Sequence, residues 1–405
     1  MSVIADISPV VADDRLARKN ALVLSVAQAL AGGNNTVIAA TAGIIGTMLA
    51  SDKGLATLPV SMMVIGIWFG TLPLGWLARN RGRRFALQTG SVVGTLAGLI
   101  SCTAVLIGSF ELFLVGTFGC GFYAAAHNSY RFAVCDTASD AYKPKAISMV
   151  LAGGVMAGFI GSGTVIITKD LWVPHLFAAT FVAQAMLAAL AGLVLTRLKS
   201  PPPIPREERE AGRPLSEIVQ NPLFVVAVAC GVVSYVVMNL LMTSAPIAMV
   251  GCGHSVTVST LGIQWHVLGM YAPSFVTGHL IVRFGVFRII SVGLGLLLLS
   301  AVVGAAGLST MHFWVSLTLL GIGWNFAFIG ATTLVTLCHR PEERNKVQSF
   351  NDFLIFGTMA LGSFASGKLM ATVGWEWVNI AAFVPVLVVA LLLVWLKLQR
   401  RGLPV

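Results

Sequence analysis

The chain has 405 residues, 57% of them hydrophobic and only 10% charged, with a mean hydropathy of +0.86. That composition excludes a soluble globule. The formal charge of +10 does not mark a nucleic-acid binder, because the Lys and Arg residues stand in short clusters between apolar runs, not along one basic face.

The first 19 residues carry Asp6, Asp13 and Asp14 and no apolar core. They read as a short cytoplasmic tail and not as a signal peptide. From residue 20 onward, apolar runs of about 20 residues, the length that crosses a bilayer core, follow one another. Twelve spans are predicted, at 20–50, 56–78, 85–108, 110–135, 145–168, 172–197, 222–247, 255–281, 286–308, 312–337, 347–370 and 375–397. Without water at mid-bilayer to satisfy backbone groups, these must be helices. The first is long enough to hold a break, and Gly32-Gly33-Asn34-Asn35 marks the expected place.

Twenty-two of the 26 basic residues fall on one side of this arrangement, tails included; Lys53, Lys169 and Lys368 fall on the other, and Arg131 lies in or at the edge of a span. The asymmetry places both termini in the cytoplasm. Composition breaks at residues 199–217, where Pro201 to Pro203 precede the mixed-charge run Arg206-Glu-Glu-Arg-Glu210. This reads as a linker between a six-helix half at 1–198 and another at 218–405. The halves repeat each other at an offset near 203: Asn35 with Asn239, Gly75-x-Leu77 and Gly82 with Gly278-x-Leu280 and Gly285, Gly119-x-Gly121 with Gly321-x-Gly323, and Gly158 and Gly163 with Gly362 and Gly367. A duplicated six-helix unit is a transporter plan, with the substrate near mid-membrane between the halves.

The seventh span carries Met238-x-x-x-Met242 and the eighth His266-x-x-x-Met270. Spacing of i, i+4 puts each pair on one helix face. Three thioethers and an imidazole form a soft, uncharged ligand set that suits Cu(I) and not Mg²⁺ or Ca²⁺. The competing reading is that the methionines fill an irregular core. Cys230, Met249 and Cys252 are candidate accessory sulfurs at the exit and entry of the same span, against a plain packing role. None of the six cysteines has CxxC spacing, so no disulfide framework is expected. Asn34, Asn35, His127, Asn128, Tyr130, Arg131, Asn239 and Asn325 are expected to face a central cavity, since lipid-facing placement is costly. For Arg131 the alternative is a clamp with Asp136 or Asp352. Pro246 and Pro273 are expected to let their helices bend.

Gly75-Trp-Leu-Ala-Arg-Asn-Arg-Gly-Arg-Arg84 resembles the loop signature of the major facilitator superfamily. That resemblance implies an all-α membrane protein with twelve transmembrane helices in two pseudo-symmetric six-helix halves. In the family the loop's charges pair with acidic residues on the fourth and eleventh helices, which makes Asp136 and Asp352 the expected partners of Arg83 or Arg84. Arg79 stands where the family usually has Asp. Within the superfamily the two Met/His motifs resemble the CcoA-type copper importers, bacterial inner-membrane proteins that supply copper for assembly of cbb3-type cytochrome oxidase. The resemblance implies Met238, Met242, His266 and Met270 as ligands of copper, carried as substrate with no catalytic cofactor. It also implies a monomer in the lipid bilayer that hands copper to cytoplasmic chaperones. Two alternatives stay open: a riboflavin-like organic-solute transporter using Trp265, Tyr271 and the polar groups above, and a copper sensor that moves nothing. No HExxH or GxSxG motif supports an enzyme.

Overall fold

The computed structural model describes residues 14–139, 142–200, 212–340 and 343–399, and the proline-rich part of the predicted linker lies outside them. Helices account for every predicted span, and no strand occurs among the described residues. The first seven spans are α1 (Asp14–Leu49), α2 (Leu58–Arg81), α3 (Arg83–Ile107), α4 (Phe110–Asn128), α5 (Lys143–Thr168), α6 (Ala178–Leu195) and α7 (Pro222–Gly251). The eighth is split into α8 (Val256–Tyr271) and α9 (Ser274–Phe284), with Pro273 in the gap. Then come α10 (Val286–Ala305), α11 (Thr310–Thr336), α12 (Arg344–Ala381) and α13 (Phe383–Gln399). Among the described residues nine helical stretches are long and apolar enough to cross a membrane, the last of them containing both the eleventh and twelfth predicted spans.

Local chemistry sets the boundaries. Ser109, Ser255 and Ser309 cap α4, α8 and α11 through their hydroxyls, and Asn221 caps α7 ahead of Pro222. Gly374, at φ +83°, turns the chain between the eleventh and twelfth spans inside α12.

Two expectations need correction. No break occurs at Gly32-Gly33, because α1 is continuous. These glycines serve close packing instead: a Cβ on Gly32 would stand 2.6 Å from the Ala157 Cβ of α5, and one on Gly33 would stand 3.5 Å from the Gly161 nitrogen. The sixth span starts at Ala178 and not at 172, since the chain turns through Pro174 and through Phe177 at φ +69°.

The repeat is visible in the packing. Gly82 and Gly285 both stand ahead of a helix, at φ +93°, ψ +154° and φ +86°, ψ +146°. Gly121 of α4 lies against the Met63 carbonyl and Gly66 of α2, while Gly321 of α11 lies against the His266 carbonyl and Gly269 of α8. The joint therefore pairs Gly121 with Gly321, two residues away from the pairing that the sequence suggests. Between the halves, Gly154 and Gly158 of α5 receive Tyr271 and Val267 of α8. At the end opposite the basic loops, the Thr57 hydroxyl donates to the Ser363 carbonyl at 2.9 Å, and Gly43 receives Ile247.

At the basic end, the close of the linker is fastened to the loop before α12. The buried Glu343 carboxylate accepts from the Arg213 backbone N–H at 2.9 Å, from Arg213 Nε at 2.8 Å and Nη2 at 2.9 Å, and from the Arg340 N–H at 2.9 Å. Arg213 thereby holds the Glu343 carboxyl far below the usual carboxylate range. A group depressed in this way stabilises the fold above its unfolded pKa, about 4.3 for Glu, and loses that contribution as pH falls through its folded value. Glu343→Gln is expected to lower the thermal unfolding temperature at pH 7 by more than Glu217→Gln, whose exposed carboxylate sits 3.7 Å from Arg213. The Glu343→Gln deficit should shrink below about pH 4. Scanning fluorimetry in detergent from acid to neutral pH checks both points, and a deficit independent of pH would contradict this assignment.

Candidate transport site at the seam between the halves

The four motif residues lie on α7 and α8 and all turn inward. Met238 and His266 are buried, while Met242 and Met270 are half-buried. Met242 packs on both the cluster of the second half and the cluster shared with the first, so it stands at the seam. His266 Nδ1 lies 2.9 Å from the Leu317 carbonyl of α11. A carbonyl can only accept, so Nδ1 carries the proton and Nε2 keeps its lone pair. Nε2 is buried with no hydrogen-bond partner in the protein. The accessory sulfurs fall elsewhere: Cys230 and Met249 are buried in the core of the second half, so Met249 does not line an outer mouth, and Cys252 is exposed.

The break between α8 and α9 is held by one side chain. Asn325 of α11 donates through Nδ2 to the Met270 carbonyl and to Ser274 Oγ, both at 2.6 Å, and accepts from Thr277 Oγ1 at 2.6 Å. Three bonds to the backbone and side chains flanking Pro273 tie the break to α11. Pro246, by contrast, sits inside an α7 that continues past it.

Sequence reasoning missed an aromatic cradle next to this break. Tyr235 of α7 meets Trp324 and Phe328 of α11 edge-on at 5.1 and 4.8 Å, and Phe356 of α12 at 5.8 Å. Trp324 and Phe328 are stacked at 5.1 Å with planes 14° apart. Their i, i+4 spacing was the available signal. Phe356 packs on clusters of both halves, so the cradle belongs to the seam. The Trp324 indole N–H is buried and has no partner in the protein, which is unusual for a buried indole. Beside the cradle, half-buried Tyr235, Tyr271, Arg131 and Asp352 lie within electrostatic reach of one another across the two halves. Trp265 is largely exposed, whereas Tyr271 rests on Gly154 of α5.

The remaining polar residues divide. Arg83 binds Asp136 with both carboxylate oxygens, Nε to Oδ2 at 2.7 Å and Nη2 to Oδ1 at 3.2 Å, and Arg84 is exposed. Burial pushes the Asp136 carboxyl up, against the pull of Arg83. Asp136 is therefore the loop's partner, while Asp352 accepts from Asn351 Nδ2 at 3.2 Å and lies within electrostatic reach of Arg131. Asn34 and His127 do not line the seam. Asn34 is buried in the first half, accepting from Gln184 Nε2 at 2.6 Å and donating to the Cys120 carbonyl at 3.3 Å. His127 is buried between Tyr123 and Tyr130. Asn239 is buried too, its Nδ2 3.5 Å from the Met359 carbonyl, and Asn35 is half-buried. No three His, Cys, Asp or Glu side chains gather into a metal site among the described residues.

The family profile described as Major Facilitator Superfamily matches residues 24–351 and 228–404. The chain belongs to the major facilitator superfamily. It is 46% identical over 392 residues to the riboflavin transporter RfnT of Brucella anthropi, covering 96% of this chain and 98% of that one. It is also 29% identical to the uncharacterized MFS-type transporter YdeG of Bacillus subtilis, over 88% and 86% of the two chains. Among solved structures, the nucleoside transporter NupG superposes with a TM-score of 0.72 at 14% identity, covering 93% of this chain and 99% of that one. A bacterial homolog of the lysosomal transporter Spinster gives 0.70 at 15% identity, over 97% and 100%. The protein is an all-α, multi-pass membrane transporter of this fold.

Asn325→Leu keeps the side chain's bulk and removes all three bonds at the helix break, leaving the Met270 carbonyl unsatisfied. A buried group so orphaned costs about 1–3 kcal/mol. The variant is expected to melt several degrees below the parent in detergent, by differential scanning fluorimetry. An unchanged melting temperature would show that the break needs no support from α11.

Proposed function

We propose that the protein moves a planar, ring-bearing organic solute of the flavin class across the bacterial inner membrane by alternating access, with both termini in the cytoplasm. The observation that carries this is the Tyr235–Trp324–Phe328–Phe356 cradle with its unpartnered indole N–H. Stacked and edge-on rings accept the face of a fused heteroaromatic. A buried donor without an acceptor calls for a carbonyl or ring nitrogen on the ligand. The relative of 46% identity is a riboflavin transporter, which supports the same class. The contacts between the halves support the same reading: glycines of α5 meet α8, and Thr57 meets Ser363 at the far end. The excess of basic residues at one end supports the orientation.

A second reading keeps copper as cargo, and one observation favours it. His266 donates through Nδ1 to a backbone carbonyl and presents a buried, unpartnered Nε2, the arrangement of a metal-binding imidazole held by its outer partner. Met238, Met242 and Met270 would complete a Cu(I) site of neutral donors. On this reading the chain imports copper for oxidase assembly and passes it to cytoplasmic chaperones.

Purified protein in proteoliposomes separates the two. Riboflavin uptake is expected in the parent. Trp324→Phe, which keeps the ring and loses the N–H, should weaken flavin binding about tenfold, read by quenching of flavin fluorescence. Tyr235→Ala should weaken it further, and Met238→Ala and His266→Ala should leave it within about twofold. Copper uptake without riboflavin uptake, lost in His266→Ala, would replace the first reading with the second. Copper bound without flux would make the protein a sensor.

A further inference from the structure

Two buried polar groups on α11 have no hydrogen-bond partner in the protein, the Trp324 indole N–H and the Thr332 hydroxyl, and among the described residues they are the only two on that helix. Phe328 stands between them, four residues from each. At i, i+4 spacing the three side chains follow one side of the helix over about 12 Å of its length. Trp324 and Phe328 are the stacked pair of the cradle, so the orphan hydroxyl lies one turn past the rings, toward the basic end.

A threonine inside a helix readily settles its hydroxyl on a carbonyl one turn back. The other threonines in the body of α11 do so: Thr318 donates to Trp314 at 2.7 Å, Thr333 to Ile329 at 2.8 Å and Thr336 to Thr333 at 2.7 Å. The Phe328 carbonyl offers Thr332 the same bond, and Thr332 does not make it. Among the described residues Thr332 is the only threonine whose buried hydroxyl stands without a partner. Buried polar groups in native proteins are almost always paired, and an orphan is costly, so this one needs a reason.

The repeat gives no packing reason for it. The joint that pairs Gly121 with Gly321 pairs Trp324, Phe328 and Thr332 with Ala124, Asn128 and Phe132 of the first half. Those carry neither a stacked ring pair nor a hydroxyl, so the joint's geometry alone does not account for the three on α11. A ligand site does account for them, being mostly apolar with a few polar groups placed to fix orientation. The two rings and the indole N–H accept the face and an acceptor edge of a fused ring. The turn past the rings has different chemistry. A hydroxyl is neutral and both donates and accepts, which matches another hydroxyl. A carboxylate or phosphate is matched best by Arg or Lys, and every α11 residue within one turn of Thr332 is uncharged.

We infer that Thr332 is a specificity residue that reads a hydroxylated tail on the ring-bearing solute. The solute lies along α11, its ring on Trp324 and Phe328 and its tail toward the basic end. The inference rests on the flavin reading and adds the part of the molecule that the cradle does not hold.

The test measures binding of two flavins to the purified full chain by quenching of their fluorescence: riboflavin, and lumiflavin, which has the same ring with a methyl group in place of the ribityl tail. The parent is expected to bind riboflavin about fivefold more tightly than lumiflavin. Thr332→Val keeps the shape of the side chain and removes the hydroxyl. It should weaken riboflavin about fivefold and leave lumiflavin within about twofold. Thr332→Ser, which keeps a hydroxyl, should retain most of the riboflavin affinity, and Trp324→Phe should weaken both flavins by the same factor. A merely structural role for Thr332 would lower the affinity for both flavins together. That result, a Thr332→Val variant with the parent's affinity for riboflavin, or a parent that binds the two flavins equally would overturn the inference and leave the flavin reading in place. A parent that binds neither flavin overturns the flavin reading itself, and the role of Thr332 with it.

Discussion

The structure depends on one kind of contact, a glycine without a side chain set against the backbone of a neighbouring helix. In lipid the hydrophobic effect does not drive helices together, so close van der Waals approach has to. Gly121 on Met63 and Gly321 on His266 are the same joint made twice, and together they fix the depth of α2 against α4 and of α8 against α11. The second joint also fixes the imidazole. The His266 backbone is pressed on Gly321 while its ring reaches Leu317 one turn away on the same helix. The side chain that carries the copper reading is thus located by the scaffold before any ligand arrives. Its counterpart in the first half, Met63, is buried and apolar.

Much of this was legible in the sequence because the bilayer imposes it. Span length, the basic excess on one side and the duplicated glycines follow from physics that needs no tertiary knowledge. What escaped depends on partners. Gly32-Gly33 reads equally as a break or as a packing surface, and only Ala157 and Gly161 on α5 decide between them. The repeat was found, but its register in the fourth and tenth spans was off by two, because Gly-x-Gly matches itself at either alignment and backbone contact selects one. The sequence makes Asp136 and Asp352 equal partners for the loop cations, and only the bidentate grip of Arg83 selects Asp136. The cradle was overlooked since its rings come from three helices, with Tyr235 and Phe356 far apart in sequence. An i, i+4 rule fixes a face, not what stands opposite it.

The imidazole of the copper reading and the aromatic cradle meet α11 at different depths. Leu317, which orients His266, and Trp324, which floors the cradle, are seven residues apart on α11, about 10 Å along the axis. A single small ion cannot bridge that distance, and a fused ring seated on Trp324 and Phe328 does not need the imidazole. Met238 stands one turn from Tyr235 and the Met270 carbonyl is held by Asn325 beside Trp324, so His266 is the ligand whose substitution is read apart from the cradle. Asn325, next to Trp324 in the chain, ties the α8–α9 break to the cradle level of α11.

A duplicated fold also provides its own control. Where both halves carry equivalent residues, as at Gly82 and Gly285, geometry alone accounts for them. Where one half carries chemistry and the other plain bulk at the same joint, the joint's geometry alone does not account for that chemistry. Three such departures concentrate polar or aromatic groups: His266 against Met63, Trp324 and Asn325 against Ala124 and Ala125, and the Tyr123–His127–Tyr130 trio against Gly323, Ala327 and Gly330. The first two lie in the second half beside the seam, and the third lies in the first half next to Arg131.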